Sequence, residues 1–192
     1  MTNHKDKDAL LSLQTLLARR SARRGEFTLA SGRTSSLYID ARLTTMSPDG
    51  LALIGPLGLR ALHDQSWEVD AVGGLTLGAD PISYAISYAS ALDGNSPIRA
   101  FTVRKEMKAH GTGKLIEGPF RPHDRVAVIE DVITTGSSAL RAVEAVRNAG
   151  GEIIGVLALV DREEGGREAL ESAGLKVRSL TRAHEILALL SS

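Results

Sequence analysis

The sequence predicts an α/β protein built on a mostly parallel sheet flanked by helices. Three observations carry this. From Val69 onward, short β-prone runs alternate with amphipathic stretches of helical period, the pattern of strand–helix–strand units. One of those runs, IIGVLALV at 153–160, is continuously apolar, as a strand buried on both faces of a parallel sheet must be. The segments between carry helix-start residues, such as Ser47-Pro48 and Asp80-Pro81, and closing glycines such as Gly150. With 192 residues the chain fits one domain, divided as an N-terminal helix and hood segment (1–45) and an α/β core (46–192).

Taken in order, Asp8 to Arg20 reads as an amphipathic helix, with Leu10, Leu13 and Leu17 at i, i+3 and i+7. A basic cluster follows at Arg19, Arg20, Arg23 and Arg24. The stretch 27–43 holds two short strands around a Ser-Gly turn. A helix starts at Ser47-Pro48, and Pro56, which lacks an N–H, predicts that it is kinked or begins late. Val69–Val72 is a strand and Gly73–Gly78 a glycine-bearing turn. Asp80 caps a helix to about Ala91, and Ile98–Val103 is a strand. A long polar loop spans 104–119, Arg125–Ile129 is a strand, and Glu130–Ser137 is a loop. The helix Ser138–Ala149 presents Ala139, Ala142, Val143 and Val146 on one face. After the strand Ile153–Val160 come a short helix at Arg167–Ala173, a strand at Lys176–Leu180, and a last helix capped by Thr181. Ligands of such sheets bind at the carboxyl ends of the strands. The loops after Val72, Val103, Ile129 and Val160 are therefore expected to form one site.

Composition excludes several chemistries. There is no Cys, so disulfides, thiolate metal sites and thiol nucleophiles are absent. Lys plus Arg (23) balance Asp plus Glu (23), which disfavours a generally basic nucleic-acid binder. No apolar run approaches the ~20 residues of a membrane span, and the N-terminus lacks a signal-peptide h-region, so a cytoplasmic location is expected. His4, His63, His123 and His184 form no i, i+4 metal pair and read as structural or solvated, and no residue is assigned to a dedicated metal site.

The most informative segment is RVAVIEDVITTGSSALRAVEAV. Its strand delivers the chain to Glu130-Asp131, and Thr134-Thr135-Gly136-Ser137-Ser138 opens the next helix. Small hydroxyl residues and Gly at a helix start make an anion cradle of N–H and O–H donors. No Walker Gly-rich pattern with Lys precedes it. Two carboxylates beside a phosphate would repel it unless something lies between. Ribose hydroxyls fit there, donating to the carboxylates while the phosphate sits further along. On the residues alone, a plain helix cap beside a solvated strand end stays open. The second constellation is the loop: from Arg99 to Lys114 there are five Lys or Arg against one Glu in a neutral chain, with His110 beside Gly111-Thr112-Gly113. A loop so long is more often a functional lid than filler, although a solvated charged loop is the plain alternative.

IEDVITTGSS resembles the phosphoribosyl-pyrophosphate (PRPP) motif of type I phosphoribosyltransferases. The loop pattern R-K-E-x-K-x-H-G is similar to the catalytic loop of the orotate phosphoribosyltransferases within that group. Phe27–Tyr38 resembles their N-terminal substrate segment, and Asp161-Arg162 with Glu163-Glu164-Gly165-Gly166 their D-R-x-E-x-G. The resemblance implies the type I phosphoribosyltransferase fold with a flexible lid, and transfer of phosphoribose from PRPP to orotate in pyrimidine synthesis. It implies that Glu130 and Asp131 hold the ribose, that Thr134, Thr135, Gly136, Ser137 and Ser138 wrap the 5-phosphate, and that Val132 and Ile133 belong to the PRPP-binding segment. Arg104, Lys105, Lys108 and His110 fall at the pyrophosphate, with Lys105, Lys108, His110 and Asp131 as the catalytic group. Arg162, Thr134 and Tyr38 fall at orotate. The resemblance further implies Mg²⁺ and a homodimer whose lid reaches the partner's site, with no nucleic acid and no membrane. The sequence departs from the family at Ala30 and in Gly73–Ala79, where many members carry Lys; Arg33, Arg42 or a metal are the candidate replacements. Two other readings are a PRPP-sensing regulator on the same fold, with Arg19–Arg24 as its nucleic-acid element, and a phosphoribosyltransferase for another base.

Overall fold

The computed structural model describes residues 4–28, 34–106 and 114–190. Helix α1 (His4–Leu16) continues into a π-helical turn at Leu17–Ser21. Strands β1 (Ala22–Thr28) and β2 (Thr34–Ile39) form an antiparallel hairpin of their own, starting five residues before the expected position. A short α2 (Arg42–Thr45) and a longer α3 (Pro48–Asp64) lead into the core. There β3 (Ala71–Leu75), α4 (Ala79–Leu92), β4 (Arg99–Val103), β5 (Ile116–Glu117), β6 (Arg125–Ile133), α5 (Ser137–Asn148), β7 (Glu152–Asp161), α6 (Gly166–Ser172), β8 (Val177–Arg182) and α7 (Ala183–Leu189) follow.

The main sheet runs β5-β4-β3-β6-β7-β8, parallel except where β5 meets β4, so the predicted α/β class holds. Side chains alternate across it. Ala127 and Ile129 of β6 join the layer of α1, α3, α4 and α7 through residues such as Leu13, Ile54, Ile86 and Ile186. Val126 and Val128 join the layer of α5 and α6 through Ala142, Val146 and Leu170. Alternation at β6 thus serves two apolar layers, which is why its sequence is continuously hydrophobic.

Several boundaries shift for identifiable reasons. Gly73 and Gly74 are strand residues, not turn: a Cβ on Gly74 would sit 2.0 Å from the Ile129 carbonyl oxygen, so only glycine lets β3 lie this close to β6. Strand β6 runs past Ile129 because its pairing with β7 continues to Ile133 opposite Asp161, which puts the acidic pair in the strand and not in a loop. Helix α3 begins at Pro48, with Ser47 Oγ accepting from Gly50 N, and passes through Pro56, so the late start does not occur. Asp80 lies in the first turn of α4, and Gly78 takes the N-cap. Thr181 lies inside β8, with its hydroxyl donating to Glu185 Oε2 (2.9 Å), and Arg182 takes the N-cap of α7. The polar loop contains β5 and brings its return limb back to β4. The expected Ser-Gly turn lies outside the described residues.

Candidate active site

Four strand ends converge as predicted; β3 and β6 run three and four residues further than the sequence suggested, β7 one, and β4 ends at Val103 as expected. Thr76 after β3, Lys105 after β4, Thr134 after β6 and Arg162 after β7 line one cavity of about 350 Å³. The end of the hairpin closes its open side with Tyr38, Asp40 and Arg42.

Glu130 and Asp131 form the floor. Lying near the C-terminal end of a central strand, they are held where water is scarce. Glu130 Oε2 is buried and makes no hydrogen bond. Burial first, and then the neighbouring Asp131 charge, pushes the Glu130 carboxyl up to about 8. Burial also raises Asp131, opposed by the Val132 N–H donating to its Oδ1 at 2.9 Å and by the field of Arg42. Arg42 itself is gripped by Asp40 through Nε (2.8 Å) and Nη2 (3.0 Å), so it faces the acids as an oriented cation. A floor of this kind is completed by a ligand that donates hydrogen bonds.

Beside the floor, α5 begins. Gly136 takes φ +80° at its N-cap, a left-handed conformation natural to glycine, and this turns the Thr-Thr-Gly-Ser run so that α5 starts at the cavity rim. Thr134 and Ser138 line the cavity. Thr135 Oγ1 donates to Ser137 Oγ at 3.1 Å, and Thr135, Gly136 and Ser137 form the turn between the cavity-lining Thr134 and Ser138. Ile133 is buried in the α5–α6 layer, so its side chain serves the core.

Opposite the floor stands the turn Thr76–Gly78. A Cβ on Gly78 would lie 2.5 Å from the Asp131 carboxyl carbon, so glycine lets this wall touch the acid. Arg162 is buried, with Nη2 donating to the Leu37 carbonyl (2.7 Å) and to Glu164 Oε1 (2.8 Å), which fixes it at the rim between hairpin and sheet. Tyr38 packs on Phe27 with ring centroids 5.4 Å apart and shows its other side to the cavity. Lys105 reaches the cavity, and its carbonyl accepts from Arg141 Nη2 (2.7 Å). Arg104 does not: its Nε donates to Glu117 Oε1 at 2.9 Å, bracing the two limbs of the loop. Lys108 and His110 lie outside the described residues. Among the described residues no cluster of three His, Asp or Glu could hold a metal on its own.

No family model matches the chain. It is, however, 52% identical over 163 residues to the orotate phosphoribosyltransferase of Aquifex aeolicus, covering 84% of this chain and 86% of that protein. The chain belongs to the orotate phosphoribosyltransferase family. The likeness extends to three dimensions. The orotate phosphoribosyltransferase of Mycobacterium tuberculosis H37Rv superposes with a TM-score of 0.81 at 45% identity in its Fe(III) dicitrate complex, covering 93% of this chain and 98% of that one. Its complex with PRPP gives 0.76 at 42% identity, with the same coverage.

The loop after β3 was expected at the site, but not which of its residues would form the wall; these are Thr76, Leu77 and Gly78, and the orientation of Arg42 by Asp40 was not foreseen either. The only signal was the glycine spacing of GGLTLGA. A second, larger cavity of about 840 Å³ lies away from the strand ends, between α3 and α4, and is mostly apolar. No helix among the described residues is long and apolar enough to cross a membrane.

Proposed function

We propose that this chain transfers the 5-phosphoribosyl group of PRPP to orotate, releasing pyrophosphate and forming orotidine 5′-monophosphate. The observation that carries the reading is the floor of the cavity: two desolvated carboxylates, one with a bare oxygen, beside the start of α5 and facing the stem of a basic loop. Glu130 and Asp131 accept from the ribose 2′- and 3′-hydroxyls, and hydrogen bonds to the ionised forms reverse the desolvation that raises both groups. Thr134 and Ser138, with backbone N–H groups through Gly136 and Ser137, take the 5-phosphate. In the reaction the C1–O bond to pyrophosphate breaks as a ring nitrogen of orotate bonds to C1. Positive charge grows on the sugar above Asp131 and negative charge on the departing pyrophosphate, which Lys105, Lys108 and His110 meet from the loop. No side chain attacks the sugar, so catalysis is positioning and charge stabilisation. Arg162, already oriented by Leu37 and Glu164, presents its guanidinium edge to the orotate carboxylate, and Tyr38 flanks the base.

Magnesium fits this donor set. Two adjacent carboxylates, one with a free buried oxygen, suit a hard cation that keeps waters and shares substrate oxygens, and a dedicated cage is not needed. Bound there, Mg²⁺ neutralises pyrophosphate charge. The assembly we propose is a homodimer in the cytoplasm, its lids reaching across to the partner's cavity. The apolar cavity between α3 and α4 supports it, because Tyr84, Tyr88 and Leu92 stand exposed on one helix face there. The deciding experiment is a spectrophotometric assay of orotate, uracil, adenine and hypoxanthine with PRPP, with and without Mg²⁺. Consumption of orotate alone, abolished by EDTA and restored by Mg²⁺, is expected; turnover of another base with orotate untouched would overturn the reading.

A further inference from the structure

The turn after β3 has no cationic side chain, yet it forms the cavity wall against Asp131, so its contribution depends on where its backbone stands. One residue outside the cavity sets that position. Asp80, in the first turn of α4, accepts from Thr76 Oγ1 at 2.6 Å with Oδ2 and from Thr102 Oγ1 at 2.9 Å with Oδ1. The first distance is that of a charge-assisted bond. Since Thr102 spends its single hydroxyl proton on Asp80, the 2.9 Å contact between Thr102 Oγ1 and Tyr84 OH must have the tyrosine as donor. Thr76 N also donates to the Val103 carbonyl at 2.8 Å. Asp80 therefore ties together the end of β3, the end of β4 and the first turns of α4. Two residues beyond Val103 stands Lys105, on the stem of the basic loop.

We propose that Asp80 is a positioning residue for the transfer reaction: by holding the hydroxyls of Thr76 and Thr102 it sets the Thr76–Gly78 wall and the Lys105 stem at the separation that lets both engage one phosphorylated ligand. This rests on the PRPP reading above and adds to it a residue that touches no substrate. A purely structural Asp80, acting only through its favourable place at the start of α4, would change stability and leave substrate preference alone.

The two are separated by steady-state kinetics with PRPP and orotate varied in turn, with thermal melts beside them. Wild-type turnover of orotate tests the underlying reaction; the variants test the positioning role. Asp80→Ala is expected to raise KM for PRPP about 10-fold while KM for orotate stays within about 2-fold, the loss of a hydrogen bond to a charged group. Asp80→Asn retains one acceptor and gains a donor that a threonine hydroxyl can accept, and is expected to recover most of the effect. Thr76→Val, which leaves Asp80 and α4 intact, is expected to reproduce the PRPP defect, and Thr76→Ser to restore it. Asp80→Ala combined with Thr76→Val is expected to be no worse than the poorer single variant, since both remove one interaction. Equal rises in both KM values, an unchanged KM for PRPP in Thr76→Val, or additive defects in the double variant would overturn the proposal.

Discussion

The two ends of β6 carry acids in opposite conditions. At the N-terminal end, Asp124 is buried but receives Arg99 through two bonds (2.6 and 3.0 Å) and the Arg121 N–H at 2.8 Å. Beside it, Asp70 receives the Arg125 side chain (3.1 and 3.2 Å) and backbone N–H (2.9 Å), which holds its carboxyl below the usual range. At the C-terminal end, Glu130 and Asp131 have no such cation in contact, and both are raised by burial. The same strand thus ends once in satisfied acids and once in acids awaiting partners. Where the chain supplies the partner the residue stabilises the fold; where it withholds it the residue is kept for a ligand.

The largest effect is expected where a satisfied end is broken. Arg99→Ala leaves Asp124 buried without its cation and should cost about 3 kcal/mol in denaturant unfolding, with the KM values of the folded protein near wild type. If that variant lost activity without losing stability, the division between the two ends would fail. Next comes Lys105→Ala, at the site end. If Lys105 meets the departing pyrophosphate as proposed, its removal should lower kcat about 100-fold and change KM for PRPP by less than about 3-fold. Equal losses in both would mean a binding role only.

Glu130→Gln sharpens the contrast through pH. Between its ordinary value near 4.5 and about 8, the folded state keeps a proton on Glu130 that the unfolded chain has lost. The folded state binds more protons there, so Glu130 takes stability away as pH rises through that window. Gln removes the penalty: the variant's Tm should exceed wild type by more at pH 8.5 than at pH 5, while KM for PRPP rises about 10-fold with one ribose acceptor lost. The smallest effect is expected from Asp70→Asn. Its carboxyl is lowered in the fold, so its stabilisation is present above the ordinary value near 3.8 and lost as pH falls below it. The pair is more than a third exposed, so the variant should lose about 1 kcal/mol at pH 7, and the gap between the two unfolding curves should shrink as pH falls below the ordinary carboxylate value.

Much of this was legible in the residues. The α/β class followed from alternation and from an unbroken apolar run at 153–160. The floor and the start of α5 followed from Glu130-Asp131 and the Thr-Thr-Gly-Ser run, because a helix start after a strand has only a few chemical uses. Arg162 was legible as a guanidinium after a strand, but its clamp between Leu37 and Glu164 was not, since 125 residues separate Arg162 from Leu37. Arg104 was legible as part of the basic loop, but its pairing with Glu117 was not, because only the folding of β5 back on β4 brings the two together. Asp80 read as a helix cap because Asp before Pro commonly is one; the hydroxyls of Thr76 and Thr102 gave it another use.

By itself, the sequence determined which chemistry each segment could bring: acids, hydroxyls with glycine, a basic loop, and strands apolar enough to be buried. Those depend on residue type and on neighbours a few positions away. Tertiary structure decided how far each strand ran, which acids met a cation and which did not, and that an uncharged turn would become a wall of the cavity. Such outcomes are set by contacts between segments distant in the chain, where pairing register and burial fix the electrostatic environment that residue type alone leaves open.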